Sequence, residues 1–221
     1  MTRHLPNLIT SLNLLTGVIG IVWVFQYDHR QAIYFVMLAG VFDFLDGFAA
    51  RMLKVQSPMG KELDSLADMV SFSTLPTLFL FVHLQELSFH WAAYSALLIA
   101  PFSALRLAKF NIDDRQSDKF IGLPTPANAI FVTSLYLIDM TLPMEAWILI
   151  ALFSAGILVA PVEMIALKFK SFALRDNGVR YLLIVFVITI MAILGISGLV
   201  YVIPGYILLS IISNLGSMNR S

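Results

Sequence analysis

Residues 43–68 read DFLDGFAARMLKVQSPMGKELDSLAD, and the rest of the chain is understood from them. Four aspartates, Asp43, Asp46, Asp64 and Asp68, stand within or beside runs apolar enough to sit in a membrane. On a helix Asp46 follows Asp43 by three positions, Gly47 by four and Ala50 by seven, so these residues form one stripe of acidic and small side chains. Gly60, Asp64 and Asp68 then recur at intervals of four and share a face of the next segment. Two helices are expected to turn their carboxylates toward a common point.

Magnitude says what must accompany such a cluster. Each ionised carboxylate near a bilayer centre costs about 2.5–3.5 kcal/mol even on a lenient scale, so four approach roughly 10 kcal/mol, against about 5–15 kcal/mol for a whole domain. Arg51, Lys54 and Lys61 offset part of that charge. A cage of carboxylate oxygens is suited above all to hard divalent cations, Mg2+ or Mn2+, and two carboxylate pairs invite two ions. Gly47, Ala50 and Gly60 lie on the same faces and remove bulk, leaving room for a flat or bulky ligand close to the backbone.

Composition agrees with a membrane setting. Hydrophobic residues make up 59% of the 221 positions and charged ones 13%, with a mean hydropathy of +0.85, outside the soluble globular range. The apolar segments use most of the length, so residues 1–221 are read as a single transmembrane catalytic domain. A formal net charge of zero gives no basic surface for nucleic acid, and the absence of cysteine excludes disulfides and thiolate chemistry. The first apolar run, Leu5 to Phe25, follows Arg3 and His4 as a leader peptide's would. It is too long for such a core, has no small-residue cleavage site and precedes further apolar runs, so it is read as the first span.

Eight apolar segments are expected, at 5–26, 31–53, 62–84, 90–110, 125–141, 145–168, 179–197 and 199–214, the fifth and eighth being short for a span of about 20 residues. The fold class is therefore all-α, a polytopic membrane helical bundle of about eight transmembrane helices. Charge sets its expected orientation. With the N-terminus in the cytoplasm, Arg30 alone of the fourteen Lys and Arg residues falls outside, which puts both termini and the aspartates on the cytoplasmic side of the cell membrane. Asp43 then lies ten residues from the end of its helix, about 15 Å from the mouth.

The spacing DxxDGxxAR, eight residues, GxxxDxxxD resembles the signature of the CDP-alcohol phosphatidyltransferase family at every fixed position: Asp43, Asp46, Gly47, Ala50, Arg51, Gly60, Asp64 and Asp68. The blocks LPNLITSLNLLTG, LDSLADMVSF, LRLAKFN and GLPTPAN, between residues 5 and 128, are similar to the phosphatidylserine-forming branch of that family. This resemblance implies a six-helix core plus a C-terminal hairpin, homodimeric assembly, and transfer of a phosphatidyl group from CDP-diacylglycerol to L-serine with release of CMP. By the same resemblance Asp43, Asp46 and Asp64 are metal ligands, and Asp68 is both ligand and general base. Gly47, Ala50 and Gly60 would admit the nucleotide, with Arg51 near the phosphates. Glycerol 3-phosphate or inositol phosphate as acceptor, and a divalent-cation transporter with no transferase activity, are the alternatives.

Outside the signature the residues speak less sharply. Asn7 and Thr10, with Ser11, either cap the first helix or contact the CDP-lipid. Arg106, Lys109 and Asn111 close the fourth segment, and Pro124 and Pro126 open the fifth with Thr125 and Asn128 beside free N–H groups, a setting for the serine carboxylate. His83, Glu86 and His90 have a spacing that fits a metal but are read as solvated residues of an outward loop. Glu163 is expected inside the sixth segment, paired with a basic residue or serving the acceptor.

Overall fold

The computed structural model describes residues 4–87, 90–113, 120–138, 142–166 and 174–218. Arg3, Arg115, Lys119, Lys168, Lys170 and Arg220, counted above toward the orientation, lie outside the described residues, as does the Arg175 side chain.

Helix α1 (Leu5–Gln26) starts on Pro6 at a position where a missing N–H costs nothing. It packs along α2 (Ala32–Leu53), which ends where Lys54 takes a left-handed conformation at φ 55° and its N–H reaches back to the Arg51 carbonyl. Helix α3 (Pro58–Glu86) begins at Ser57, whose hydroxyl accepts from the Gly60 N–H at 3.0 Å, followed by Pro58. After about three turns the helix widens into a π-helix at Met69–Thr74, directly after Asp68. Helix α4 (His90–Ile112) follows, then a two-residue strand β1 (Phe120–Ile121), α5 (Thr125–Ser134), α6 (Met144–Val159), strand β2 (Glu163–Met164), α7 (Leu174–Leu194) and α8 (Leu199–Met218). A helix stands at each of the eight expected places.

The architecture is an all-α polytopic membrane bundle, and the side-chain pattern says so independently of the count. In α1 the exposed positions include Leu8, Leu15, Val18, Val22 and Phe25, while Thr10, Asn13, Thr16, Gly17 and Gly20 are among the buried ones. Apolar side chains outside and polar or small ones inside invert the soluble order, as expected where lipid is the solvent. Close approach follows from the small residues: a Cβ on Gly17 would lie 2.8 Å from the Ser71 Cα of the π-turn.

Segment bounds differ in places from the expected ones. Among the described residues, length and apolarity identify five long stretches, 5–26, 29–53, 58–86, 90–112 and 177–215, and a shorter one at Met144–Val159. The last long stretch doubles back at Gly195–Gly198, so that α7 and α8 form a hairpin with Gly205 against the Phe186 ring. The sixth segment ends at Val159 and not at 168, because Pro161 forces Ala160 out of helical geometry, to ψ 140°. Glu163 is consequently an exposed residue of β2, which pairs antiparallel with β1 as Ile121 opposite Glu163. Gly122, at φ +79°, presses on the Leu158 carbonyl, and the Leu123 N–H donates to Ile157 at 3.0 Å. These bonds seat the start of α5 beside the end of α6.

Candidate active site

The aspartates converge as their spacing predicts. Asp43, Asp64 and Asp68 each bring a carboxylate oxygen within 4.8 Å of the others. Asp46 stands beside this triad with its Oδ2 2.5 Å from the Thr10 hydroxyl, whose single proton is placed to bond either that oxygen or the Pro6 carbonyl at 3.0 Å. Asp46 and Asp68 are buried, at 6% and 8% exposed. Among the described residues none of the four is ion-paired to a lysine or arginine, and Asp64 Oδ1 is buried without a partner. Buried carboxylates that repel one another and keep unshared lone pairs fit a hard dication with oxygen ligands. The donor set passes the chemical test for Mg2+ or Mn2+.

A cavity of about 580 Å³ opens from this cluster. Asn7 and Thr10 of α1, Asp46, Gly47 and Ala50 of α2, and Gly60, Lys61 and Asp64 of α3 line it, with residues 55–58 closing one end. Five residues singled out for the CDP-lipid, Asn7, Thr10, Gly47, Ala50 and Gly60, therefore line one cavity. Gly60 has little spare room, since a Cβ there would lie 3.2 Å from Ser57 Oγ and 3.3 Å from Asn7 Oδ1. Arg51 is exposed and not part of the lining; its guanidinium lies 3.6 Å from where a Gly47 Cβ would be. Lys61 takes the cationic place in the wall instead, its Nζ donating to the Asn111 carbonyl at 2.8 Å.

Beyond Asp68 the character changes. Arg106, 7% exposed, is within electrostatic reach of Asp68 and donates from Nη1 to the Thr125 hydroxyl at 3.2 Å. Its Nε and both side-chain amide atoms of Asn128, one turn along α5, are buried without partners. Arg106 thus meets α5 at Thr125, with Asn128 one turn further along the helix. Lys109 and Asn111 do not join them: Lys109 is exposed, and Asn111 donates to Ser65 Oγ at 2.9 Å, tying α4 to α3. Asn13 is a residue the sequence reading passed over. It is fully buried, donates to Asp68 Oδ1 at 3.5 Å, and its Oδ1 has no partner. The signal was there, since Asn7, Thr10 and Asn13 follow one another every three positions in an otherwise apolar helix.

The match to known proteins is decided over most of this architecture. A family model described as CDP-alcohol phosphatidyltransferase matches residues 3–159, from before α1 to the end of α6. The chain belongs to that family. The CDP-alcohol phosphatidyltransferase match takes in every residue of the aspartate cluster, its cavity and the Arg106 group. A protein of Helicobacter pylori strain J99 named CDP-diacylglycerol–serine O-phosphatidyltransferase is 37% identical over 137 residues, 61% of this chain and 57% of that protein. Proteins of the same name from Bacillus subtilis and Methanocaldococcus jannaschii are 37% and 34% identical, over 56% and 58% of this chain and 70% and 58% of theirs. The chain thus spans a little over half the length of the Helicobacter relative it matches.

Proposed function

We propose that this chain transfers the phosphatidyl group of CDP-diacylglycerol to the hydroxyl of L-serine, giving phosphatidylserine and CMP. The observation that carries the reading is the continuity of the site. A small-residue cavity meets the carboxylates at Asp46 and Asp64, and Asp68 leads on to a buried guanidinium and an unpartnered amide. The names of the three relatives support serine as the acceptor.

Each group has a part to play. Gly47, Ala50 and Gly60 let the nucleotide approach the backbone, with Asn7 and Thr10 lining the same cavity and Lys61 and Arg51 at the phosphates. Mg2+ or Mn2+, two ions in our reading, held by Asp43, Asp46, Asp64 and Asp68, would neutralise the diphosphate and the charge at the attacked phosphorus. Asp68 accepts the proton as the serine oxygen bonds to phosphorus and the bond to the CMP oxygen breaks. Arg106, supported by Thr125, and the Asn128 amide hold the serine carboxylate through charge-assisted hydrogen bonds. Basic residues at the aspartate end of the bundle favour a cytoplasmic-facing site in the cell membrane, with both termini inside; assembly as a homodimer is what the family resemblance implies.

The test gives the purified chain CDP-diacylglycerol with Mg2+ or Mn2+ and, separately, serine, inositol phosphate or glycerol 3-phosphate, and measures CMP. Serine-dependent release is expected. Release with only a phosphorylated acceptor would falsify the serine assignment while leaving the transferase intact, and divalent-metal uptake by vesicles without turnover would point to a transporter.

A further inference from the structure

At the far end of α1 from the aspartates, some 16 residues beyond Thr10 and about 24 Å along the axis, a second set of metal-ligating side chains comes together. The sequence reading placed His83 and Glu86 in a solvated loop with His90. Instead His83 lies in the last turns of α3, 6% exposed, and its neighbour is His29, also 6% exposed, from the α1–α2 connection. Asp28 fixes that connection by accepting the Arg30 N–H at 2.9 Å, which shapes the short 3-10 turn His29–Gln31. His29, His83 and Glu86 each offer a ligand atom within 4.8 Å of the others.

We propose that these three residues bind one transition-metal dication of the Zn2+ class, clipping the α1–α2 connection to the end of α3. Two imidazoles and a carboxylate make a mixed nitrogen and oxygen set, which suits Zn2+ and its neighbours and not Mg2+. His29 Nδ1 and Glu86 Oε1 are 3.5 Å apart, close to the separation of adjacent ligand atoms around a tetrahedral ion with bonds of about 2.0–2.1 Å. With Nδ1 facing Glu86 and the metal, His29 Nε2 is left buried and without a partner in the protein. Tyr136 Oη lies 2.5 Å from His83 Nδ1; accepting from an Nδ1–H, it would be the outer-shell contact of a ligating imidazole, with the Nε2 lone pair left for the metal. Phe79, Tyr136 and Trp147 wall the imidazoles. The half-exposed Glu86 leaves an entry path.

The full chain, purified in detergent and stripped with a chelator, is loaded with Zn2+ or Co2+ in excess Mg2+, which saturates the aspartates. Bound metal per chain, the Co2+ absorption spectrum and the thermal transition are read. One Zn2+ per chain is expected, with a tetrahedral Co2+ spectrum and a transition raised by Zn2+. Tyr136→Phe, which leaves the three ligands in place, should weaken Zn2+ binding roughly 10- to 100-fold. Glu86→Gln and His29→Asn should each weaken it further. His83 variants disturb a packed core, so Glu86→Gln, at a half-exposed side chain, decides the matter. Zn2+ bound equally by Glu86→Gln and the unmodified chain, or none retained by the unmodified chain, overturns the proposal.

Discussion

Asp68 has different neighbours from the other three aspartates. Asp46 faces the cavity and Thr10, whereas Asp68 is held from one side by Asn13 and lies within reach of Arg106 on the other. That position suits the base, and Asp68→Asn is expected to lower kcat for CMP release by about 10²–10⁴-fold with the thermal transition little changed. Retained kcat within tenfold would remove Asp68 from the chemistry. Arg106 carries the acceptor reading. A charge-assisted hydrogen bond contributes about 1.5–3 kcal/mol, so Arg106→Ala should raise the serine KM roughly 10- to 150-fold while Mn2+ binding, followed by its paramagnetic signal, stays as it was. An unchanged serine KM would take Arg106 out of the acceptor site. Chelation should abolish CMP release by the unmodified chain, and added Mn2+ should restore it. Turnover in the presence of a chelator would show that the carboxylates work without a dication.

At the scale of elements, the site is held by how α1, α2 and α3 are brought close. Gly17 allows α1 to touch the π-turn of α3 at Ser71, and that turn follows Asp68 directly. A widened turn resets the faces of the helix, so Ser71, Phe72 and Ser73 are all buried although they are consecutive. Gly17→Leu forces extra volume into this contact and should cost about 1–3 kcal/mol, seen as a lower thermal transition together with lost activity; an unshifted transition would mean that the contact is not tight. Ser57→Ala removes the cap that starts α3 at the cavity rim and should cost about 0.5–2 kcal/mol. Helix starts such as Ser57-Pro58 were legible because their chemistry is local. The π-turn was not, because nothing in MVSFST distinguishes it from an α-helical turn.

Across the whole molecule the described basic residues divide by end. Arg51, Lys54 and Lys61 flank the α2–α3 connection, Arg106 and Lys109 lie on the last turns of α4, and Arg180 donates to the Ala166 carbonyl near β2. Arg30 lies at the opposite end, over the Tyr136 ring at 5.4 Å. The chain has no cysteine of its own, so single substitutions report side directly. Lys54→Cys should be shielded from an impermeant thiol reagent applied outside intact cells, and Arg30→Cys should react; the reverse pattern would invert the bundle.

By itself the sequence determined the helical class and the convergence of the aspartates, because apolarity, helical spacing and charge cost are properties of neighbouring residues. It also pointed to the small-residue wall. Only the tertiary structure decided that Arg106 meets Thr125 and not Lys109, that Asn13 reaches Asp68, and that His29 joins His83 and Glu86. Those pairings join residues 19 to 57 positions apart. The angles at which helices cross and the side chains that fill their contacts set such distances, and no local periodicity encodes them.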